Sequence, residues 1–448
     1  MPVAAVHGLA ITGRSVARAL VAHGWTVRLS DDRPTDDHRS FADSIGCTLI
    51  DVAGDGGPAT LLGGADMLLP APGVPPHNRI IASAIAAGIP VRSEIDIAYE
   101  WEQSRDAGPR PVLGVTGTDG KTTTTMLVSH LLRTSGMRAE EVGNTDIPFM
   151  ESVDDQDIDA FVVECSSFRL NWATSFRCET SAWLNLAPDH LDWHPDPDHY
   201  MRAKARLWGA ARPTDVAVAS ASDPRIVAAA RDSAARTVTF GLTEGDYRTQ
   251  EGWLVGPTGR LCTVDSLWRS MPHDITNSLA AAAVVLEAGL VDPGTVASAL
   301  ATFQPAHHRI ELVGRFGGND WYDDSKATSP HAALTAIRAF DRLVLIAGGR
   351  NKDLDLSQLA SEPGRMSGVV AIGDDAALIR TAFEGICPVR SAGSMDEAVA
   401  LAAGLASDGD AVVLSPGCTS YDWYRNYNER GDDFQRAVRQ LMNGGSGE

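Results

Sequence analysis

Residues Thr116-Gly117-Thr118-Asp119-Gly120-Lys121-Thr122 constrain the fold more than any other stretch of the chain. An apolar run, Pro111-Val112-Leu113-Gly114-Val115, precedes them and reads as a buried strand. Thr123-Thr124-Thr125-Met126-Leu127-Val128 follows and opens a helix. Strand, glycine-rich turn, Lys-Thr pair and helix, in that order, build a phosphate-binding loop. Glycines let the backbone wrap an anion, and the helix N-terminus aims N–H groups at it. Lys121 would neutralise the outer phosphates and the Thr122 hydroxyl would ligate Mg²⁺. The strict pattern has Gly at position 115, where this chain has Val. A chance Gly-Lys-Thr in a structural turn is the alternative, and the strand before and helix after favour the nucleotide site.

A chain of 448 residues holds several domains. It has no apolar run of the ~18 residues a membrane span needs, and its start lacks the basic segment of a signal peptide. Six scattered cysteines, with no C-x-x-C pair, argue against a zinc site or disulfide framework and fit a reducing cytoplasm. A net charge of −20 repels nucleic acid. Anionic small substrates would then depend on local Lys, Arg, helix N-termini and Mg²⁺.

The fold class expected is α/β in three domains. Residues 1–103 alternate strand and helix, which implies a parallel, Rossmann-like sheet: strands at Ala4–Val6, Trp25–Leu29, Asp66–Pro70 and Ile89–Val91, helices at Ser15–His23 and Arg79–Ala87. The turn from His7 to Ser15 sits where a dinucleotide fold holds pyrophosphate, and Asp31 ends the second strand. Ala10 breaks the glycine fingerprint, so the turn alone does not separate a nucleotide-diphosphate site from a plain strand–helix turn. Glu102 to Pro111 is polar, contains Pro and Gly, and reads as a linker. A central phosphate-loop domain with a mostly parallel sheet spans 104–304, with strands Ala160–Glu164, Ala182–Leu186 and Val216–Ala219 and a helix from Thr276 to about Ala288. A third, Rossmann-like α/β unit spans 305–448, with strands Leu343–Ala347, Val369–Ile372 and Ala411–Leu414.

Glu164 ends an apolar strand near the phosphate loop, where a carboxylate is placed to hold Mg²⁺ or to cap the next turn. Asp189-His190-Leu191-Asp192-Trp193-His194 reads equally as a solvated turn or as ligands at a strand end. Lys204, between alanines on a helix, reads locally as a solvated charge. Asp323-Asp324-Ser325-Lys326-Ala327-Thr328 at a helix entrance, and the cationic turn Gly348-Gly349-Arg350-Asn351-Lys352, suit phosphate or carboxylate binding.

Together these pieces resemble the Mur ligase family of ATP-dependent amide-bond synthetases, and within it the MurD type. The matching motifs are Thr116–Thr122, Glu164-Cys165-Ser166-Ser167-Phe168, Asn185 to Asp192, His308-Arg309, Asp323–Thr328 and Leu414-Ser415-Pro416-Gly417-Cys418-Thr419-Ser420. They fall in order over nearly the whole chain, and the Val115 variant of the loop is what that family carries. The resemblance implies an N-terminal domain for a UDP moiety, a central ATPase and a C-terminal domain that closes over ATP and brings the amino acid. The implied reaction is cytoplasmic peptidoglycan-precursor synthesis: ATP phosphorylates the carboxylate of UDP-MurNAc-L-Ala, and the amine of D-glutamate attacks the acyl phosphate. A monomer is also implied.

Carried over residue by residue, the resemblance assigns ATP contacts to Gly117, Thr118, Asp119, Gly120, Lys121, Thr122, Thr123, Asn277, Arg309, Asp324 and Lys326. Thr122 and Glu164 would serve one Mg²⁺. His190 and a carbamylated Lys204 would serve the second, which replaces the solvated-lysine reading. Lys121, Glu164, His190 and Lys204 form the catalytic set. Leu9, Thr12, Asp31 and Arg33, with Asn144, Ser166 and His190, would hold the UDP-substrate. Thr328, Lys352, Ser420 and Tyr427 would hold the incoming glutamate. Asp119 and Asp274 stand where the family has Asn, and Tyr427 where it has Phe. Asp119 adds a negative charge near the phosphates, while the last two departures, with Trp423 and Tyr424 nearby, leave L-glutamate or another amino acid as an alternative; a non-catalytic UDP-sugar- or ATP-binding paralogue is a second.

Overall fold

The computed structural model describes the chain except residues 55, 146, 192, 306, 352, 353 and 445–448. It divides into two compact units, Met1–Phe303 and Gln304–Glu448.

The first unit contains two parallel sheets. The N-terminal sheet runs in the order Thr48–Leu49, Thr26–Ser30, Val3–His7, Met67–Pro70. Ala4, Ala5 and Val6 are buried because helices cover both faces of such a sheet. The helix Ile11–Ala22 returns tightly over Val3–His7. A Cβ on Gly13 would lie 1.8 Å from the Gly8 carbonyl oxygen, so this approach requires glycine. The strand expected at Ile89–Val91 is reduced to a single bridge between Leu68 and Val91. Pro90 has no N–H to give a ladder, and only its carbonyl is used, by the Leu68 N–H at 2.8 Å.

The second sheet runs in the order Arg236–Phe240, Val216–Ser220, Thr180–Trp183, Val112–Thr116, Ala160–Glu164, Ala139–Gly143, all parallel. Three of its middle strands, Val112–Thr116, Ala160–Glu164 and Val216–Ser220, are largely apolar because both faces are covered. Over one face pack the helices Lys121–Thr134 and Pro272–Glu287, through Leu127, Leu131, Leu279 and Val284. A three-stranded antiparallel meander, Arg248–Gln250, Trp253–Gly256 and Gly259–Thr263, adds Leu254 and Leu261 to that core; the sequence patterns had not indicated it.

The stretch read as a linker has an exposed middle, at Ser104, Asp106, Ala107 and Pro109, but buried charges near its two ends. Glu102 and Arg110 are almost completely enclosed. The Arg110 guanidinium donates to both Glu102 oxygens at 3.0 and 2.7 Å, and to the Val153 carbonyl at 2.6 Å. These two charges answer each other inside the protein. Nearby, buried Asp96 accepts the N–H groups of Thr174, Ser175 and Phe176 at 2.8, 3.1 and 2.8 Å. These bonds fasten the helix Glu94–Gln103 to the central sheet's surroundings.

The second unit has one six-stranded sheet, ordered Glu311–Phe316, Asn319–Asp323, Ala411–Leu414, Leu343–Gly348, Met366–Ile372, Val389–Ser391. The first pair is antiparallel and the rest parallel. The helix Tyr427–Gly444 packs Phe434 and Val438 on Trp321 and Val412. Among the described residues, no helix is long and apolar enough to cross a membrane, and the cysteines are free thiols.

Candidate active site

Val115 belongs to the strand, which continues to Thr116 and pairs with Glu164 on one side and Ala182 on the other. Position 115 is therefore sheet interior, and the loop proper begins at Gly117. Gly120 adopts φ +77° and starts the helix Lys121–Thr134 with no side-chain cap, so the first-turn N–H groups face outward as anion donors. The loop is pinned from below by Asn185. Its Oδ1 accepts the N–H groups of Thr118 and Asp119, both at 2.9 Å, and its Nδ2 donates to the Asp119 carbonyl at 3.1 Å. The backbone at Asp119 is thus held in place whatever its side chain. Asn277 lies against Gly120: a Cβ on that glycine would meet the Asn277 Oδ1 at 2.7 Å.

Two lysines converge on this loop. Lys121 Nζ donates to the carbonyls of Gly117 and Thr118 at 3.0 and 2.8 Å. Lys204 Nζ donates to the same Gly117 carbonyl at 2.6 Å and sits 4.6 Å from the Tyr200 ring centre. Lys204 is 1% exposed, contrary to the solvated charge that its neighbours suggest. Burial, and then the charge of Lys121, push its pKa far below the ordinary ammonium value. Tyr200 shares a hydrogen bond with Thr118 Oγ1 at 3.1 Å.

Glu164 is buried at the end of its strand. Its Oε1 accepts from Asn144 Nδ2 at 2.8 Å, while its Oε2 is buried without a partner. A carboxylate oxygen left so is costly unless a cation completes it, which fits a Mg²⁺ ligand. His190 is partly exposed, sits at φ +54° and lies against Phe168 with ring centres 4.7 Å apart. Its carbonyl collects the N–H groups of Trp193 and His194 at 3.0 and 2.8 Å, which fixes the turn. His194 is fully enclosed between Ser167 Oγ and His199 Nδ1 at 2.9 and 2.8 Å; burial, then the neighbouring imidazoles, lower its pKa to about 3. Ser166 caps the short helix Ser167–Asn171 by accepting the Arg169 N–H at 3.3 Å.

In the N-terminal sheet, Asp31 Oδ2 accepts the Leu9 N–H at 2.8 Å and its Oδ1 the Arg33 N–H at 2.9 Å. Leu9, Asp31 and Arg33 thus form one turn. The Leu9 side chain is core, however, and the residue this turn exposes is Ile11, at 74%, beside Thr12. Thr12 Oγ1 accepts from Arg169 Nη2 at 3.2 Å, which joins this turn to the Glu164 cluster.

In the second unit, Asp324 is buried, accepting the Ile310 N–H at 3.2 Å and Ser415 Oγ at 2.7 Å. Burial pushes its pKa up to about 7, offset in part by Ser415 and Arg309. Arg309 Nε is buried without a hydrogen-bond partner. Lys326 donates its N–H to the His308 carbonyl at 3.0 Å and places Nζ 5.7 Å from the Tyr427 ring centre. The Thr328 N–H donates to the Lys326 carbonyl at 2.9 Å. Ser325 Oγ donates to the Tyr427 carbonyl at 2.7 Å, and buried Arg430 donates to Ser325 Oγ and to the Ser325 carbonyl at 2.9 and 2.8 Å. Asp324, Lys326, Thr328 and Tyr427 are therefore neighbours. Ser420 is buried on the adjoining loop, whose Gly417 N–H reaches the Ala327 carbonyl at 2.9 Å. Lys352 and Asp192 lie outside the described residues.

The substituted Asp274 is compensated: Arg269 donates to its two oxygens at 2.5 and 2.9 Å. The sequence reading had not singled out Arg169, Arg430 or Tyr200 for a role. Asn185 had signalled itself only as the start of a motif.

Models of three domains match the chain in order: the Mur ligase MurD-like N-terminal domain over residues 3–93, the Mur ligase middle domain over 115–285, and the Mur ligase glutamate ligase domain over 308–418. A Frankia casuarinae protein named UDP-N-acetylmuramoylalanine–D-glutamate ligase is 38% identical, covering 98% of this chain and 94% of that protein. A Thermobifida fusca protein of the same name is 37% identical, covering 97% and 98%. In fold, the chain is similar to the MurF ligase of Thermotoga maritima, solved with ADP, at a TM-score of 0.61 and 17% identity over 93% of this chain and 95% of that one. It is also similar to a pseudomurein peptide ligase type C from Methanothermus fervidus, at 0.60 and 17% over 98% and 100%. With three domain models in register and full-length relatives above a third identical, the chain belongs to the Mur ligase family of ATP-dependent amide-bond-forming ligases, on its MurD-like branch.

Proposed function

We propose that this chain ligates D-glutamate to UDP-N-acetylmuramoyl-L-alanine, using ATP, in the cytoplasmic synthesis of a peptidoglycan precursor. The observation that carries this reading is the joint burial of Glu164 Oε2, an unpartnered carboxylate oxygen, and the Lys204 amine beside an uncapped phosphate-loop helix. The names of the full-length relatives support the choice of substrates.

A carboxylate is a poor electrophile, and phosphoryl transfer from ATP gives it a leaving group. The chain's part is positioning and charge neutralisation. Lys121 and the first-turn N–H groups of its helix receive the β- and γ-phosphates. Asn277, packed under Gly120, and Arg309, Asp324 and Lys326 contact the nucleotide. Thr122 and Glu164 would hold one Mg²⁺, and His190 and Lys204 a second; bound there, the ions neutralise charge on the transferring phosphoryl group. Lys204 reaches that role as a carbamate. Burial favours the unprotonated amine, and in that form it would add to CO₂ and lose a proton, which leaves a carboxylate-like ligand where an ammonium would stand. Leu9, Thr12, Asp31, Arg33, Asn144 and Ser166 hold the UDP-substrate, with exposed Ile11 offering an apolar surface. Thr328, Lys352, Ser420 and Tyr427 orient the incoming glutamate, and the enzyme works as a monomer.

The test is phosphate release from ATP with UDP-MurNAc-L-Ala and D- or L-glutamate supplied in parallel. Release is expected only when the nucleotide-sugar and D-glutamate are both present. Full-rate release without either one, or preference for L-glutamate, overturns the assignment. Lys204→Ala is expected to lose at least about a hundredfold in turnover; normal turnover with no response to bicarbonate removes the carbamate from the mechanism.

A further inference from the structure

Arg169 is 5% exposed and lies on the short helix Ser167–Asn171, just after Glu164. Its guanidinium reaches three parts of the first unit. Nε donates to Glu94 Oε1 at 3.0 Å, Nη1 to Asn144 Oδ1 at 2.9 Å and Nη2 to Thr12 Oγ1 at 3.2 Å. Glu94 is itself buried and begins the helix Glu94–Gln103, so the guanidinium is anchored on a rigid element.

The consequence runs through Asn144. A guanidinium has no acceptor, so the Asn144 atom facing it must be the amide oxygen. The Asn144 NH₂ is thereby turned to Glu164, where it donates to Oε1 at 2.8 Å. The Asn144 backbone N–H donates to the Glu164 carbonyl at 2.8 Å as well. That close approach depends on Gly143, at φ +93°, where a Cβ would lie 2.7 Å from the Glu164 carbonyl oxygen. With Oε1 committed, Oε2 is the oxygen left without a partner. The chain Thr12–Arg169–Asn144–Glu164 thus links the turn assigned to the nucleotide-sugar with the carboxylate assigned to the metal.

We propose that Arg169 is a positioning residue of the ligation: it orients Asn144, through it presents one oxygen of Glu164 to the cation, and through Thr12 makes that presentation responsive to nucleotide-sugar binding. The inference rests on the ligase reading of the site. Hydrogen-bonded partners behind a metal ligand fix its orientation, and their loss typically weakens metal affinity 10–100-fold. A lysine at 169 keeps the charge opposite Glu94 but has one ammonium in place of a three-way fork.

The test measures Mn²⁺ bound in the presence of ADP by electron paramagnetic resonance, on full-length protein, with and without UDP-MurNAc-L-Ala. Wild-type protein is expected to bind Mn²⁺ with ADP more tightly when the nucleotide-sugar is present. Arg169→Lys is expected to bind Mn²⁺ about tenfold more weakly and to lose the response to the nucleotide-sugar. Asn144→Leu should show a similar loss, and the double variant no more than Asn144→Leu alone, because the two act in series. Should Arg169→Lys fold poorly, Glu94→Gln releases the guanidinium from its anchor and should shift Mn²⁺ binding in the same direction. Wild-type Mn²⁺ affinity and an intact nucleotide-sugar response in the variants, or additive losses in the double variant, overturn the role of Arg169. A wild-type protein that ligates normally while the variants match it in Mn²⁺ binding fails only this inference; one that neither ligates nor binds Mn²⁺ with ADP fails the ligase reading itself.

Discussion

Gly120 carries the phosphate-loop turn at φ +77°, where an L side chain is strained and where a Cβ would press on Asn277 Oδ1 at 2.7 Å. Gly120→Ala should therefore cost about 1–2 kcal/mol of stability and raise the KM for ATP, since the Asn277 amide must shift. Urea unfolding and steady-state kinetics measure both, and unchanged values would show that the turn tolerates a side chain. Asp324 gives a second residue-level outcome. Its folded pKa, pushed up to about 7 by burial, exceeds the ordinary value of 3.8. The folded chain holds a proton that the unfolded chain releases, so this contribution to stability is complete below about pH 4 and is lost as pH rises to about 7. The slope is at most ~1.4 kcal/mol per pH unit. His308 adds the same sign. Burial lowers its pKa, but the Asp323 hydrogen bond at 2.7 Å and the charges of Asp323, Asp432 and Glu311 bring it out above the ordinary value. Its contribution is likewise lost as pH rises through that raised pKa. Between about pH 5 and pH 8 the melting midpoint of Asp324→Asn, compared with wild type, should fall less steeply. Parallel curves would contradict the burial argument.

At the scale of elements, the joint between Glu102 and Arg110 shows what local reading catches and what it misses. Arg110→Ala strands Glu102, which has no exposed surface, and should destabilise the first unit by about 3–5 kcal/mol. Glu102→Leu with Arg110→Met should recover most of that loss, and equal urea midpoints for Arg110→Ala and wild type would rule the joint out as a structural tie. In sequence this stretch looked like a linker because polarity and the Gly108-Pro109 pair mark surface turns, which its exposed middle is; nothing local says that the charges near its two ends will meet inside. The phosphate loop was legible because its strand, turn and helix are contiguous in the chain. Glu164 was legible for the same reason, at the end of an apolar strand. Arg169 was not: its partners Asn144, Glu94 and Thr12 lie 25, 75 and 157 residues away, so its role exists only after the chain is folded. Lys204 misled in the opposite way. Alanine neighbours on a helix give no sign of whether that face is covered, and here the phosphate loop covers it.

On the scale of the whole molecule, the groups assigned to one ATP are divided between two compact units. The phosphate loop and Glu164 belong to Met1–Phe303, whereas Arg309, Asp324 and Lys326 belong to Gln304–Glu448. Phe303 is firmly held in the first unit, with its ring centre 4.8 Å from Trp268 and 5.7 Å from His130, and Gln304 after it is exposed. A hinge at this boundary would need a few positions that absorb backbone rotation while the flanking bodies stay rigid. A chain of net charge −20 also gains little from long-range attraction for ATP or a UDP-sugar, so phosphate binding depends on bringing the few local cations together. If both units work on one nucleotide, full-length protein with Mg²⁺, a non-hydrolysable ATP analogue and UDP-MurNAc-L-Ala should scatter as a more compact particle than the same protein alone. Small-angle X-ray scattering reads the change directly. Superposable curves under saturating ligands, alongside normal ligase activity, would mean that Arg309, Asp324 and Lys326 reach the nucleotide without rigid-body closure, and that the joint after Phe303 is not a hinge.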